Sequence, residues 1–471
     1  MMWNGSGSLA RLGRRSLTRG LTGVARNGNG HIHGEHNGTA EDDAARHDFL
    51  RPQRRDRPPH SEALRPGARQ ETLREANLLL ITEEIFASAE PLSRADLSIR
   101  TGMTRSTVSR LVDDLLAAGI VREGSPMVGP TRGRPAVPLT PARKTLAGLG
   151  VEVNVDFMAV RALDLTGSVL AEALVERDYR GSDPVSVLRE AGELAAGVSA
   201  QAQESGAQVV GTVVAMPGLV GSDERSLLLA PNLGWRDIDT VELLTAAAGQ
   251  EPFGQFISVA NEAKLAALAV AQELTEADGE EQTFLFVSAQ MGIGSAVVID
   301  GVVNPGPHGW AGELGHLSVE PAGPECRCGA TGCLEVYAGK RALLTAAGLG
   351  PNVAAADLMQ LAREEDSSDD SAAETARAAI SRAGWALGVA LAGAMNVLDV
   401  HEIVLGGEFA PLTDLLRPRI EEELQRRVLA SQWAAFRVRE SGTGPAPAVT
   451  GGAMLALRAV VDAPQMWVPA S

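Results

Sequence analysis

All three cysteines of this 471-residue chain, Cys326, Cys328 and Cys333, fall within eight residues, and His316 precedes the first of them by ten. With so few cysteines, a disulfide framework cannot organise the fold. The pattern H-x9-C-x-C-x4-C instead supplies four nitrogen and sulfur ligands, with Gly329 and Gly332 as turn residues between them. That set matches a closed tetrahedral Cys3His site for Zn2+, with the cysteines as thiolates and the histidine neutral. No coordination position is left for water, so the zinc is expected to be structural. A cluster of free or redox-active thiols is the competing reading, and it leaves the histidine without a role. Glu313 and Glu335 bracket the ligands. The segment 312–335 therefore reads as a zinc-stapled loop that presents acceptors to a polyhydroxylated small molecule.

The length calls for two or three domains around such a loop. The low, odd cysteine count fits a reducing, cytoplasmic setting. No apolar run reaches the roughly 18–20 residues that span a bilayer, so no membrane association is expected. Arg14-Arg15 is followed by polar, glycine-rich residues and is not read as an export signal. Net charge is −17, unevenly spread. Residues 1–70 carry 12 Arg against 7 acids, residues 71–145 carry 10 basic against 9 acidic groups, and the remainder carries 20 against 43. Residues 1–70 lack apolar periodicity and read as a disordered basic extension. It is either a nonspecific DNA arm, a dispensable extension, or the product of an early start codon. The acidic body excludes nucleic-acid binding by bulk charge, so any DNA contact must come from a few placed arginines.

Residues 71–145 offer those arginines. A helix is expected from about Glu71 to Ala89. Ser93 caps a short helix, Gly102 turns the chain, and Thr104 caps a second helix, RSTVSRLVDDLLAAG. Val108, Leu111, Val112, Leu115 and Leu116 form its buried stripe. Thr104, Arg105, Ser106, Thr107 and Arg110 are left toward solvent, the pattern of a DNA-reading helix-turn-helix. Strands at Ile120-Val121 and Val137 to Leu139 flank Thr131-Arg132-Gly133-Arg134-Pro135. A hairpin with that tip is a wing, and Arg132 and Arg134 suit a narrow A·T-rich minor groove.

From about Leu146 the pattern is α/β. Eight strands are expected, at 149–153, 157–165, 168–176, 209–216, 256–260, 283–289, 294–300 and 402–407, with helices between them. A meander that passes into strand–helix alternation implies a mixed sheet with helices packed on it. Residues 363–372 read as a solvated acidic connector. Gly218, Asn232, Asn261, Glu313 and Glu335 lie in loops and could converge on sugar hydroxyls, although an Asn in such a place more often caps a turn or helix.

The winged helix with its GRP tip, MPGLV, APNLGW, the NEA helix start, GIGSAVVIDG, GELGH…CRCGATGCLE and LGGE follow one another in an order that resembles the ROK (repressor, open reading frame, kinase) family. The resemblance covers about residues 71–465. It implies residues 71–145 as a winged helix-turn-helix DNA-binding domain. It implies residues 146–471 as a two-lobed sugar-kinase/actin-like, duplicated ribonuclease-H-type domain. It carries the family's sugar contacts onto Gly218, Asn232, Asn261, Glu313, His316 and Glu335, so His316 would serve both zinc and sugar.

Departures from the kinase branch separate two functions. The expected phosphate loop is replaced by Val151-Glu152-Val153-Asn154-Val155-Asp156, without glycine. The second phosphate segment carries Met291 in place of Thr, and the catalytic Asp position holds Glu262. The expectation is a non-enzymatic, sugar-responsive repressor of carbohydrate uptake or catabolism genes. It would act as a homodimer or homotetramer on double-stranded operator DNA, with a sugar or sugar phosphate as effector. A sugar kinase with a regulatory DNA-binding head is the alternative, and a DNA-bound scaffold with a vestigial cleft is the third reading.

Overall fold

The structure, a computed structural model, describes residues 66–88, 90–126, 136–278, 282–363, 370–444 and 446–469. Helix α1 (Pro66–Ala87) starts inside the segment read as disordered. Its proline occupies the first helical position, where the missing N–H has no intrahelical partner to lose. The rest of that extension, residues 1–65, lies outside the described residues.

Strand β1 (Leu92–Ser93) leads into α2 (Arg94–Thr101). Ser93 and Asp96 close a capping box, and Gly102 ends the helix at φ 71°. Helix α3 (Arg105–Ala117) follows, with the Thr104 hydroxyl accepting from the Thr107 N–H at 3.2 Å. Val108, Leu111, Val112 and Leu115 are buried with Leu78, Ile81 and Ile85 of α1 and Leu97 of α2. Leu116, expected in the same stripe, is only partly buried, because it lies 100° around the helix from Leu115. Strands β2 (Val121–Glu123) and β3 (Pro138–Pro141) pair antiparallel, with β1 on the far edge of β3. This is the base of a wing. Its expected tip, including Arg132 and Arg134, lies outside the described residues.

The body begins with an antiparallel meander of β4 (Leu146–Val153), β5 (Phe157–Asp164) and β6 (Val169–Glu176). After α4 (Pro184–Glu204), β7 (Gln208–Met216) joins β4 in parallel. A small sheet of β8 (Leu219–Val220), β9 (Ser226–Ala230) and β10 (Trp235–Asp239) and helix α5 (Thr240–Ala248) precede β11 (Ile257–Asn261), which lies parallel to β7. Helix α6 (Glu262–Asp278) crosses to a second sheet, where β12 (Phe284–Ala289), β13 (Ile293–Ile299) and β14 (Val302–Asn304) form another meander. The loop 305–334 and helices α7 (Glu335–Ala338), α8 (Lys340–Ala346), α9 (Ala355–Arg363) and α10 (Asp370–Leu398) follow. Strand β15 (Glu402–Gly407) joins β12 in parallel, α11 (Thr413–Arg427) crosses, and β16 (Arg437–Glu440) joins β15. Helix α12 (Pro447–Asp462) closes the body.

The two sheets, β11-β7-β4-β5-β6 and β14-β13-β12-β15-β16, share one plan. In each, a three-stranded meander is extended by two parallel strands on the side of its first strand. This repetition is the duplicated two-lobed architecture expected above. All eight residues of β4 are buried, as helices covering both faces of a sheet require.

Two helices were not anticipated in these roles. Helix α10 is, among the described residues, long and apolar enough to cross a membrane by length and composition, against the expectation of no such run. Most of it is buried in the second lobe against α11, so its composition serves the core. Helix α12 escaped sequence reading altogether. It packs so closely on β4 that a Cβ on Gly148 would fall on the Ala453 carbonyl, and one on Gly150 on the Val449 carbonyl. A Cβ on Gly451 would fall on the Leu265 carbonyl of α6. The same helix sends Met454, Leu457 and Val460 into the core of the winged helix.

Gly150→Ala is expected to destabilise the chain by roughly 1–3 kcal/mol, since backbone atoms on both sides must separate. Thermal denaturation reads this directly, and an unchanged melting temperature would show that the helix and strand tolerate a wider gap.

Candidate functional site

On the head, Arg105, Ser106 and Arg110 of α3 are exposed and Thr107 is half-buried. The Thr104 hydroxyl sits 3.0 Å from that of Ser106 and 2.9 Å from that of Thr107, besides capping the helix. Asp113 shares the exposed face, and Arg94 holds it at 2.7 Å while also reaching Glu123 at 3.0 Å. This pairing offsets an acid that would otherwise repel a phosphate backbone. Arg94 was not singled out from sequence, because its partners lie 19 and 29 residues away.

In the body, the ligand atoms of His316, Cys326, Cys328 and Cys333 all lie within 4.8 Å of one another. The Sγ atoms of Cys328 and Cys333 are 3.7 Å apart, and Cys326 Sγ is 3.9 Å from His316 Nδ1. A tetrahedron with metal–sulfur bonds of about 2.3 Å has edges of about 3.8 Å, so the set fits a metal ion. Backbone turns build it: Cys326 N–H donates to Ala330 O, Gly329 N–H to Cys326 O, and Gly332 N–H to Pro324 O. Gly329 and Gly332 adopt φ 94° and 69°. None of the three cysteines is in a disulfide. Burial pushes the Cys333 thiol up to about 12 and raises Cys326 as well, the expected penalty on thiolates without a cation beside them. A bound dication would reverse it.

The sugar-directed residues gather around the ends of β7, β11 and β13. Gly218, at φ 104°, passes so close to β9 that a Cβ would strike the Leu229 carbonyl. Asn261 donates to Gly218 O at 3.0 Å, and its own oxygen accepts from the Ala263 and Lys264 N–H groups at 3.0 and 3.2 Å. It therefore caps α6 and ties down the Gly218 turn at once. Asn232 and Glu335 converge over Gly292, whose missing side chain makes room for both. Glu335 also accepts from Ile293 N–H at 3.2 Å. Glu313 is half-buried, and burial raises its pKa against the pull of His316 and Lys264, with Glu335 adding to the rise. Lys264, Arg327 and Trp310 were missed in the sequence. Lys264 Nζ donates to Gly309 O, Arg327 Nη1 to Asn232 Oδ1 at 3.4 Å, and Trp310 Nε1 to Val220 O at 2.8 Å. All three contacts bridge segments distant in sequence, so no local pattern announces them.

The positions that resemble a kinase phosphate site are filled from within. In the β4–β5 turn, Asn154 N–H donates to Phe157 O at 2.9 Å and Val155 N–H to Asn154 Oδ1 at 2.7 Å. Asn154 Nδ2 bridges Glu152 at 2.9 Å and Glu262 at 3.1 Å. Glu152 is buried and its second oxygen has no partner. Burial, opposed by Asn154 and Arg161, lifts Glu152 to about 7. Burial together with the charges of Glu152 and Glu313 lifts Glu262 to about 8.

Comparison with known proteins follows the same lines. A model of the ROK family matches residues 149–459, and a model of the IclR helix-turn-helix domain matches residues 84–125. A xylose repressor of Bacillus spizizenii is 26% identical over 404 residues, spanning 85% of this chain and 99% of the relative. The DNA-binding transcriptional dual regulator NagC of Escherichia coli is 25% identical over 350 residues, spanning 72% and 82%. Among solved structures, a ROK family transcriptional regulator, a homolog of the E. coli MLC protein, aligns with a TM-score of 0.63 at 25% identity, spanning 83% of this chain and 97% of that one.

Elemental analysis of purified protein is expected to find about one thiophilic divalent metal per chain, lost in Cys326→Ser, with a melting temperature lower by roughly 5 °C or more. Equal metal content in the variant would remove Cys326 from the ligand set. The two raised carboxyls predict a pH effect. Between about pH 4.5 and 8 the folded chain holds protons that the unfolded chain releases, so their contribution to stability falls as pH rises through that window. A Glu152→Gln/Glu262→Gln variant is therefore expected to gain roughly 2–4 °C in melting temperature on the unmodified chain between about pH 6 and pH 9. Parallel pH profiles would mean that the pair titrates normally.

Proposed function

The chain belongs to the ROK family, and from that premise we propose that it is a sugar-responsive transcriptional repressor of carbohydrate uptake or catabolism genes. The observation that carries this reading is the combination of a helix-turn-helix head with a sugar-kinase-like body whose phosphate-loop counterpart is closed by its own hydrogen bonds. A backbone already engaged in this way offers phosphate no cradle, and the body serves as a sensor rather than an enzyme.

In this reading residues 71–145 are the DNA-binding domain, residues 146–471 the sugar-binding domain with its zinc loop at 312–335, and residues 1–70 an extension. Helix α3 enters the major groove of operator DNA with Arg105, Ser106, Thr107 and Arg110 toward it. Thr104 fixes its first turn, and Arg132 and Arg134 of the wing reach the adjacent minor groove. One head makes too few contacts for a specific site, so a homodimer or homotetramer in the cytoplasm is the working species.

Gly218, Asn232, Asn261, Glu313, His316 and Glu335 form the sugar site. Asn261 contributes mainly by positioning Gly218. The metal is structural Zn2+ held through His316 Nδ1, which leaves Nε2 for a sugar hydroxyl. Sugar binding then favours one lobe arrangement, and its effect on DNA is limited to its differential affinity for the two arrangements.

The purified chain is expected to shift its own upstream DNA, with a sugar changing that shift; no shift with or without sugars would overturn the proposal. Glu313→Ala is expected to abolish the sugar response and leave DNA binding intact. Arg110→Ala is expected to weaken DNA binding and reduce its salt slope by about one unit if it meets a phosphate. An ADP-release assay with Mg-ATP and hexoses is expected to stay at background, and turnover would restore the kinase alternative.

A further inference from the structure

Asn154 sits between two carboxyls in a way that fixes which oxygen of each holds a proton. Its Oδ1 accepts from the Val155 N–H at 2.7 Å, which sets the orientation of the amide. Its Nδ2 then donates to Glu152 Oε1 at 2.9 Å and to Glu262 Oε2 at 3.1 Å. The other two oxygens, Glu152 Oε2 and Glu262 Oε1, accept no hydrogen bond among the described residues. Glu152 is 2% exposed, so ionisation would leave Oε2 as a buried charge with nothing to meet it. Arg161 on β5 attracts Glu152 without a hydrogen bond to it and pairs with Glu172 at 2.8 Å. Glu262 faces Glu152 from β4 and Glu313 from the loop after β14, while Lys264 faces Glu313. The Ala263 and Lys264 amides of the first turn of α6 go to Asn261, so they do not hold Glu262 as an anion. Burial and these two neighbouring carboxyls lift Glu262 to about 8. Near neutral pH it is mainly a carboxylic acid, with the proton on Oε1.

That oxygen lies on the side of the sugar-directed residues. Gly292 and Gly294 are two apart where β13 begins, so they present the same face. A Cβ on Gly292 would meet Glu335 and Asn232, and one on Gly294 would lie 4.0 Å from Glu262 Oε1. A carboxylate only accepts hydrogen bonds, whereas a carboxylic acid also donates one. At the position where the kinase pattern has a base that takes up a hydroxyl proton, this chain already holds a proton. We infer that Glu262 is a seventh sugar contact and makes it as a carboxylic acid, donating from Oε1 to a sugar oxygen. Asn154 and Glu152 are positioning residues: the amide occupies Oε2, and the buried Glu152 keeps the proton on its neighbour. The inference rests on the sugar-sensor reading above and adds to it that sugar and proton are bound together.

The test is calorimetric titration of the full-length chain with D-xylose, D-glucose and N-acetyl-D-glucosamine at several values between pH 7 and pH 9, in buffers of different ionisation enthalpy. At least one sugar is expected to bind at pH 7 and to bind about 10-fold more weakly at pH 9, with net proton uptake on binding that grows over the same range. Equal affinity at both ends, without proton uptake, overturns the inference and leaves the sugar reading standing. No binding at any pH removes the sugar reading and the inference with it. In Glu262→Gln, whose amide donates at every pH, the affinities at pH 7 and pH 9 are expected to agree within about twofold, whatever their absolute level. A 10-fold fall that persists in this variant assigns the proton to another group and overturns the inference. In Glu152→Gln the fall is expected to begin at lower pH, because a negative neighbour is gone, and an unmoved profile removes Glu152 from its positioning role. A flat profile in the unmodified chain is decisive even if the variants do not fold.

Discussion

Backbone-to-backbone contact through glycine holds this molecule together as a sensor. Helix α12 lies against β4 with main-chain carbonyls where side chains would normally intervene, and Gly148, Gly150 and Gly451 are what permit it. Such packing leaves little room for sliding, because interiors this dense move between discrete arrangements rather than deform smoothly. The strand so gripped carries the buried Glu152. Helix α6, gripped from the other side at Leu265, begins with Glu262. At its far end, α12 contributes three apolar side chains to the core of the winged helix. One helix thus touches the head, the first sheet and α6. Arg161 adds a polar tie from β5 to Thr450 of α12.

Around the cleft, electrostatics take over from packing. The β4–β5 turn keeps the position of a phosphate loop but fills it with a valine-flanked glutamate and an asparagine that consume the local donors. Two carboxyls brought so close, one fully buried, share the burden of desolvation by holding protons well above the ordinary carboxylate range. The bridging amide of Asn154 keeps them apart and oriented. On the other side, His316 and the three cysteines cluster just before Glu335 begins α7.

Much of this was legible beforehand. Eight of the thirteen described body strands announced themselves through apolar runs between turn residues, each within about three residues of where it was expected, while the short β8, β9, β10, β14 and β16 did not. The Cys3His set was legible because metal spacing is local. Helix α12 was not, since Pro447, Gly451 and Gly452 lower its helix propensity and a helix buried on several sides shows little amphipathic period. The tight packing that explains those glycines exists only in three dimensions. Asn261 illustrates the reverse: its residue type suited both a helix cap and a ligand contact, and the structure gives it the cap and the tie to Gly218. Lys264, Arg327 and Trp310 remained hidden because their partners come from distant segments.

The short connection between head and body has a consequence for anyone dissecting the protein. Residues 142–145 are pinned at both ends: Ala142 N–H donates to Ile120 O, Thr145 Oγ1 to Gly119 O at 2.6 Å, Lys144 N–H to Asp164, and Gln208 N–H to Thr145 O. A cut there would sever hydrogen bonds of both parts and uncover Leu163, Leu165, Leu457 and Val460, which are buried in the core they share with the winged helix. A truncated body would carry an apolar scar and tend to self-associate. Fragments made to study the sensor alone would therefore report on an artificial interface, and a chimaera that grafts this body onto a foreign head would have to rebuild that core rather than simply splice a linker.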